Sequence, residues 1–415
     1  MNNAVIAPIT VYPHPNADKI QLGNVMGYQV VIGLEVKTGD LGIFFPEGLQ
    51  LSRDYCKANQ LLREDGGYFE ANRRVRCQKF RGERSEGFWS PVDSLAFLGK
   101  HKLVEGDRLT ELNGVELCCK YITPATRMSR EGKKKSNRGE TTMFHKHMET
   151  DQLRMNYHRL DGLLDDPVII TQKLHGTSQR VGRVLEEKKP GWFRRNILPG
   201  FPKWLQNKFP NEREWVYLIG SRNVIVEPDT VDYYGEGFRQ KAANKFLGRL
   251  EKGETVYYEV VGFEALDKPI MGTVNNKEVK GLADKITYKY GCVNGQMEVY
   301  VYRITHTNED GYTIDLPWTA VKKRCQELLV KSVPHLYTIP GATATSHGIK
   351  AFIEEYFQKN ELADPLDPSH PLEGVVVRID RPFKPEIYKH KTFTFGLLEG
   401  YLKSQDTYVD TEESA

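Results

Sequence analysis

The side chains best suited to chemistry begin with Lys173, in the run P-V-I-I-T-Q-K-L-H-G-T-S-Q-R-V-G from Pro167 to Gly182. Val168 to Thr171 are apolar or β-branched, the composition of a short strand buried on both faces. A lysine two residues beyond such a strand, followed by the small Gly176 that lets a ligand approach the backbone, presents an amine in a pocket. An isolated K-x-x-G is usually a solvated strand end, so the weight falls on what accompanies it.

Five further segments each set a reactive or charged side chain in or beside an apolar strand. They are S-R-N with Arg222, Y-E-V-V-G with Glu259, V-Y-R-I-T with Tyr302 and Arg303, E-G-V-V-V-R with Glu373, and Y-K-H-K with Lys389 and Lys391. A buried carboxylate needs a partner, so Glu259 and Glu373 each require either an arginine such as Arg222 or Arg378, or a cation from outside. Strand alternation puts Tyr300 and Tyr302 on one face and Arg303 on the other. An amine nucleophile must be neutral, and with a free pKa of roughly 10.4 a lysine reaches that state only where its surroundings favour it; a neighbouring cation does so, whether Lys389, Lys391 or a bound metal ion.

In order, the six segments resemble the motifs of the covalent nucleotidyltransferases, the polynucleotide ligases and RNA capping enzymes. The resemblance implies that Lys173 attacks the α-phosphate of a nucleotide to form a lysyl-AMP phosphoramidate, with Lys389 and Lys391 stabilising the transferring phosphate. It places His175 and Gly176 in the nucleotide pocket, Arg222 near the ribose or the growing 3′ end, and Tyr302 on the purine, with Tyr300 second. Glu373 and Glu259 then hold Mg²⁺ or Mn²⁺, and Glu259 also approaches the ribose. Relatives commonly carry an acidic residue where this chain has Arg303. K-x-H-G, with His175, resembles one branch of RNA ligases, whereas DNA ligases and capping enzymes usually show K-x-D-G. The implied activity is ATP-dependent sealing of RNA 3′-hydroxyl and 5′-phosphate ends, as in a nicked duplex. The alternatives are a GTP-using capping-type guanylyltransferase, and a nucleic-acid-binding protein whose transferase half is a degenerate scaffold. No G-x-x-x-x-G-K-[ST] occurs, which disfavours a P-loop ATPase.

These residues need a framework of strands. Residues 1–121 carry short apolar runs with Gly and Pro punctuation, the pattern of a small barrel or sandwich. H-P-N-A-D-K-I-Q-L followed by G-Y-Q-V-V-I-G resembles OB modules of tRNA-binding proteins and those at the front of one group of RNA ligases. Arg73, Arg74, Arg76, Lys79, Arg81 and Arg84, interleaved with Phe80, Phe88 and Trp89, form a stripe suited to phosphates and bases. Outward alternation from a strand, with Trp89 in the core, explains the same residues. Residues 122–156 read as a basic linker, with Lys133 to Lys135 in it and a helix start at Thr150. Residues 157–403 form the transferase half, interrupted by an aromatic and basic insertion from Leu185 to Trp215, and 404–415 form a tail. Helical periodicity runs over 318–331 and 350–360. The expected fold is therefore α+β: an N-terminal OB-type β-barrel, then a nucleotidyltransferase domain of antiparallel sheets flanked by helices.

Composition agrees with such a protein. The length of 415 residues calls for two or three domains, and the net charge of +3 is too small to argue for nucleic acid except through its distribution. The six cysteines show no metal-binding spacing, and no run approaches a membrane span. We expect a soluble, intracellular monomer, cytoplasmic or nuclear, with free thiols and no membrane partner.

Overall fold

The computed structural model describes residues 3–124, 127–128, 141–188, 212–226, 237–277 and 279–399. In the front part, β1 (Ala4–Pro8), β2 (Thr10–Pro13), β3 (Ile20–Val25), β4 (Tyr28–Gly33), β5 (Leu41–Pro46), β6 (Gly87–Pro91) and β7 (Arg108–Leu109) make two antiparallel sheets. Their orders are β7–β1–β5–β6 and β2–β3–β4. β4 alternates buried and half-buried residues, so Tyr28, Val30 and Ile32 share a core face. Met26 and Gly27, both at positive φ, close the β3–β4 hairpin as a two-residue turn of the type that matches strand twist. The neighbours Phe44 and Phe45 point into two different cores, one around Tyr28 and Trp89, the other around Tyr55 and Leu117. The ladder pairs among the described strands do not run round into one closed barrel.

The rest of the chain contains two larger sheets. Its strands are β8 (Asp151–Gln152), β9 (Val168–Lys173), β10 (Thr177–Glu187), β11 (Arg213–Ser221), β12 (Ile225–Val226), β13 (Glu254–Ala265), β14 (Met297–Thr307), β15 (Thr313–Asp315), β16 (His335–Ile339), β17 (Gly374–Ile379) and β18 (Glu386–Lys391). A five-stranded sheet runs β8–β18–β17–β9–β16, and an eight-stranded sheet follows the path β12–β11–β10–β13–β14–β15. β9 belongs to the first and β10 to the second, so Leu174 to Gly176 is where the chain crosses between sheets. Alternation in β17 sends Val375, Val377 and Ile379 into a core with Ile349 and Ile353, and turns Val376 and Arg378 to the opposite face, which lines a cleft.

Among the described residues, four helices flank these sheets: α1 (Phe238–Ala243), α2 (Trp318–Leu328), α3 (Ser346–Asn360) and α4 (Phe393–Leu398). α3 starts four residues before the periodicity becomes visible, because the Thr345 side chain caps it by accepting from the Gly348 amide at 3.1 Å. α2 stops short of Lys331, since Leu329 adopts a left-handed conformation and Lys331–Ser332 join β14.

The helix expected from Thr150 does not form. Asp151 and Gln152 instead pair in parallel with Tyr388 and Lys389, and only short 3₁₀ turns follow. The insertion springs from the β10–β11 hairpin, and most of it, like Lys133 to Lys135 and the tail, lies outside the described residues. Arg154 joins the two halves: its guanidinium donates to Glu86 at 2.8 Å and to the Gly27 carbonyl at 2.6 Å, and stacks 3.8 Å from the Tyr28 ring centroid. All six cysteines are free, and no helix among the described residues is long and apolar enough to cross a membrane.

Candidate active site

Lys173 ends β9 directly opposite Gly374 on β17, and Gly374 lies opposite Lys391 on β18. A Cβ at Gly374 would overlap the His390 carbonyl, so glycine is what allows β18 to close up at this level. Glu373, fully buried, places one carboxylate oxygen 2.9 Å from the Lys173 ammonium and 3.2 Å from that of Lys391. The partners of this carboxylate are thus lysines and not Arg378, which pairs with Asp380 at 2.6 Å.

Gly176 makes the second close approach. A Cβ there would overlap the Val260 carbonyl, and its amide donates to Glu259 at 3.1 Å. Its smallness serves the packing of the crossover onto β13 as well as the approach of a ligand, because the residue also borders the cleft. That cleft lies where the two sheets meet. Lys173, Glu259, Tyr302, Arg222 and Lys389 all line it, although they come from five separate segments.

Tyr302 and Tyr300 part company. The Tyr302 hydroxyl shares a 2.7 Å hydrogen bond with Ser178 at the cleft wall, while burial, then the charge of Glu259, pushes its phenol well above the usual tyrosine range. Tyr300 is buried in the core, with the Lys331 ammonium 5.6 Å from its ring centroid, and does not line the cleft. The expected placing of Arg303 on the face opposite these tyrosines is overturned. The ladder shifts register between Tyr257 and Tyr258, whose partners are Arg303 and Val301, leaving Tyr302 as an extra residue. Arg303 therefore stacks 4.7 Å from the Tyr257 centroid and makes a bidentate pair with Asp315, at 2.5 and 2.8 Å.

Arg222 sits just after β11, in a turn closed by Ser221, whose hydroxyl accepts from Val224 at 3.2 Å. Buried Arg180 fixes that turn by donating to the carbonyls of Ser221 and Arg222, each at 2.7 Å. His175 turns away from the cleft: it is packed edge-on between Tyr288 and Phe395, 3.6 Å from the Glu399 carboxylate, while its amide donates to Tyr290 at 2.6 Å. It holds the crossover against α4.

The residues expected to meet nucleic acid are divided. Arg74 is buried, 4.7 Å from the Tyr121 ring centroid, and Arg76 pairs with Glu70 at 3.0 Å. Lys79, Arg81 and Arg84 are exposed, with Arg84 stacked 3.5 Å from the Phe393 ring centroid in α4. Of the rings, Trp89 lies in the core and Phe88 packs on Phe69.

Sequence reasoning missed His147, Arg180 and Asp364. Asp364, fully buried, accepts from the Gln172 amide at 2.8 and 2.7 Å and so holds the residue before Lys173; burial pushes its carboxyl up to about 6. His147 lines the cleft, and its pKa is driven well below the usual histidine value by desolvation, then by Arg303, Arg222, Lys389 and Lys173. No local pattern marks either residue. Among the described residues no cluster of three or more His, Cys, Asp or Glu side chains could hold a metal.

A family model for RNA ligase matches residues 166–392. The chain belongs to the RNA ligase family. All six reactive segments fall within the matched stretch, from the crossover at Lys173 to the paired lysines of β18. Solved structures similar to this ligase include two of a Naegleria gruberi RNA ligase. One, a variant with AMP and Mn, has a TM-score of 0.59 at 18% identity, over 94% of this chain and 97% of that one. The other, with PPi, has a TM-score of 0.59 at 16% identity, over 96% and 98% of the two chains. At such identities the likeness establishes the shared fold: mixed α and β, mostly antiparallel. A comparison with curated proteins gives no match. Chemically, the ligase gathers Lys173 and Lys391 on the buried Glu373 carboxylate, and Lys173 also opens on the cleft beside Lys389, an arrangement suited to anchoring and polarising a phosphate.

Proposed function

We propose that this RNA ligase uses ATP and Mg²⁺ or Mn²⁺ to seal RNA 3′-hydroxyl and 5′-phosphate ends, as in a nicked duplex, through AMP carried on Lys173. The observation that carries this reading is the placing of Lys173 and Lys391 on one oxygen of Glu373, at the crossover between sheets.

Attack requires the Lys173 ammonium to leave Glu373 and lose its proton. Its nitrogen then bonds to the α-phosphorus while the bond to the bridging oxygen of the β-phosphate breaks, and pyrophosphate departs. Lys389 and Lys391 offset the charge that builds on the phosphate oxygens, and Arg222 and Glu259 hold the ribose side. Tyr302 supplies the aromatic wall for the purine. A bound divalent ion would neutralise phosphate charge, and Glu373 and Glu259 are the carboxylates that would hold it. A 5′-phosphate then displaces the lysine from AMP, and a 3′-hydroxyl displaces AMP from the activated end. His175 acts as a positioning residue in this scheme. The front sheets, with Lys79, Arg81 and Arg84, meet the RNA backbone.

Incubation with ATP labelled on its α-phosphate, with Mg²⁺ or Mn²⁺, tests the reading. The protein should take covalent label, and Lys173→Ala should take none. Label that persists on Lys173→Ala, or that comes from GTP and not from ATP, would sink it.

A further inference from the structure

His147 belongs to none of the six reactive segments, yet the fold takes trouble to present it. The stretch 141–150 is pinned at two points. Phe144 is buried against Val184, Leu218 and Ile225, with the Arg180 guanidinium 4.6 Å from its ring centroid, and the Tyr257 hydroxyl donates to the His145 carbonyl at 2.8 Å. Between and beyond these anchors the chain offers His147 to the cleft wall, its ring 5.0 Å from Tyr302 at an interplanar angle of 74°. Two rings at that angle make a corner for a planar group: flat on one, edge against the other. Nδ1 of His147 is shielded from solvent and has no hydrogen-bond partner among the described residues.

The charges nearby say which part of a nucleotide belongs in that corner. Lys173, Lys389 and Arg222 line the same cleft and are the groups a phosphate seeks. An imidazole among such cations stays neutral, so it offers hydrogen bonding without charge, which suits the uncharged part of the ligand. We infer that His147 is a specificity-determining contact to the nucleoside base of ATP, hydrogen-bonding its edge while the base lies against Tyr302. The inference rests on the ATP reading above and adds a residue that reads the base.

The full chain carrying His147→Ala or His147→Gln tests this, with adenosine and inorganic tripolyphosphate as separate competitors of self-labelling by ATP. His147→Ala should weaken adenosine competition and raise the KM for ATP by about 3- to 10-fold, the range for one lost hydrogen bond. Competition by tripolyphosphate should be unchanged, which also reports an intact fold, and His147→Gln should recover part of the loss. Equal weakening of both competitors, or of neither, would overturn the inference. An unsubstituted protein that takes no label refutes the ATP reading itself, and is told apart by that.

Discussion

Glu373→Gln removes the carboxylate that Lys173 and Lys391 share, and its cost follows from the geometry. Both ammonium nitrogens approach the same oxygen, at 2.9 and 3.2 Å, so they stand within roughly 6 Å of each other. With that counter-charge gone, two unit charges at this separation repel by about 3 kcal/mol at an effective dielectric of about 20. The figure matches the about 3–5 kcal/mol lost when one partner of a buried pair is removed, and the lysine side chains are only 16% and 17% exposed, so water relieves little of it. Thermal unfolding at pH 7 without nucleotide should show the midpoint falling by about 6–10 °C. Adding Lys391→Met leaves a single ammonium and should restore at least half of the loss. The reasoning fails if Glu373→Gln shifts the midpoint by less than about 2 °C, or if the second substitution lowers it further.

Gly176→Ala should fold yet lower the rate of self-labelling at Lys173 at least about tenfold, because the new methyl group meets the Val260 carbonyl and forces the crossover off β13; single-turnover labelling within about twofold of the unsubstituted rate would contradict this. Glu47, beside Arg154 and Glu86, has its carboxyl pushed up to about 7 by burial. A raised carboxyl binds its proton more tightly in the folded state, so its contribution is complete below the unfolded pKa and is lost as pH rises through 7. Glu47→Gln should therefore gain stability relative to the unsubstituted protein between pH 5 and pH 8, by about 2 kcal/mol after discounting for the solvent the half-buried group retains. Melting curves at the two pH values check the sign, and an equal difference at both would refute it.

The sequence by itself determined the strands and the chemistry they carry. The apolar run Val375 to Val377 and the β-branched run before Lys173 are local properties, readable from neighbouring side chains. The order of six reactive segments was legible for the same reason, since each is a short motif tied to its own strand. The capped start of α3 was fixed locally as well, by Thr345.

Tertiary structure decided how these pieces meet. Glu373 pairs with Lys173 because β9 and β17, two hundred residues apart in the chain, lie side by side. An irregularity in the β13–β14 ladder, invisible in either strand alone, turned Arg303 toward Tyr257 and left Tyr302 at the cleft. His175 went into the core because Tyr288 and Phe395 arrive there from distant segments, and His147 reached the cleft because Phe144 and Tyr257 hold its stretch down. Side-chain period and residue type act over a few residues, whereas a partner's identity depends on which strands become neighbours, and only the folded chain sets that.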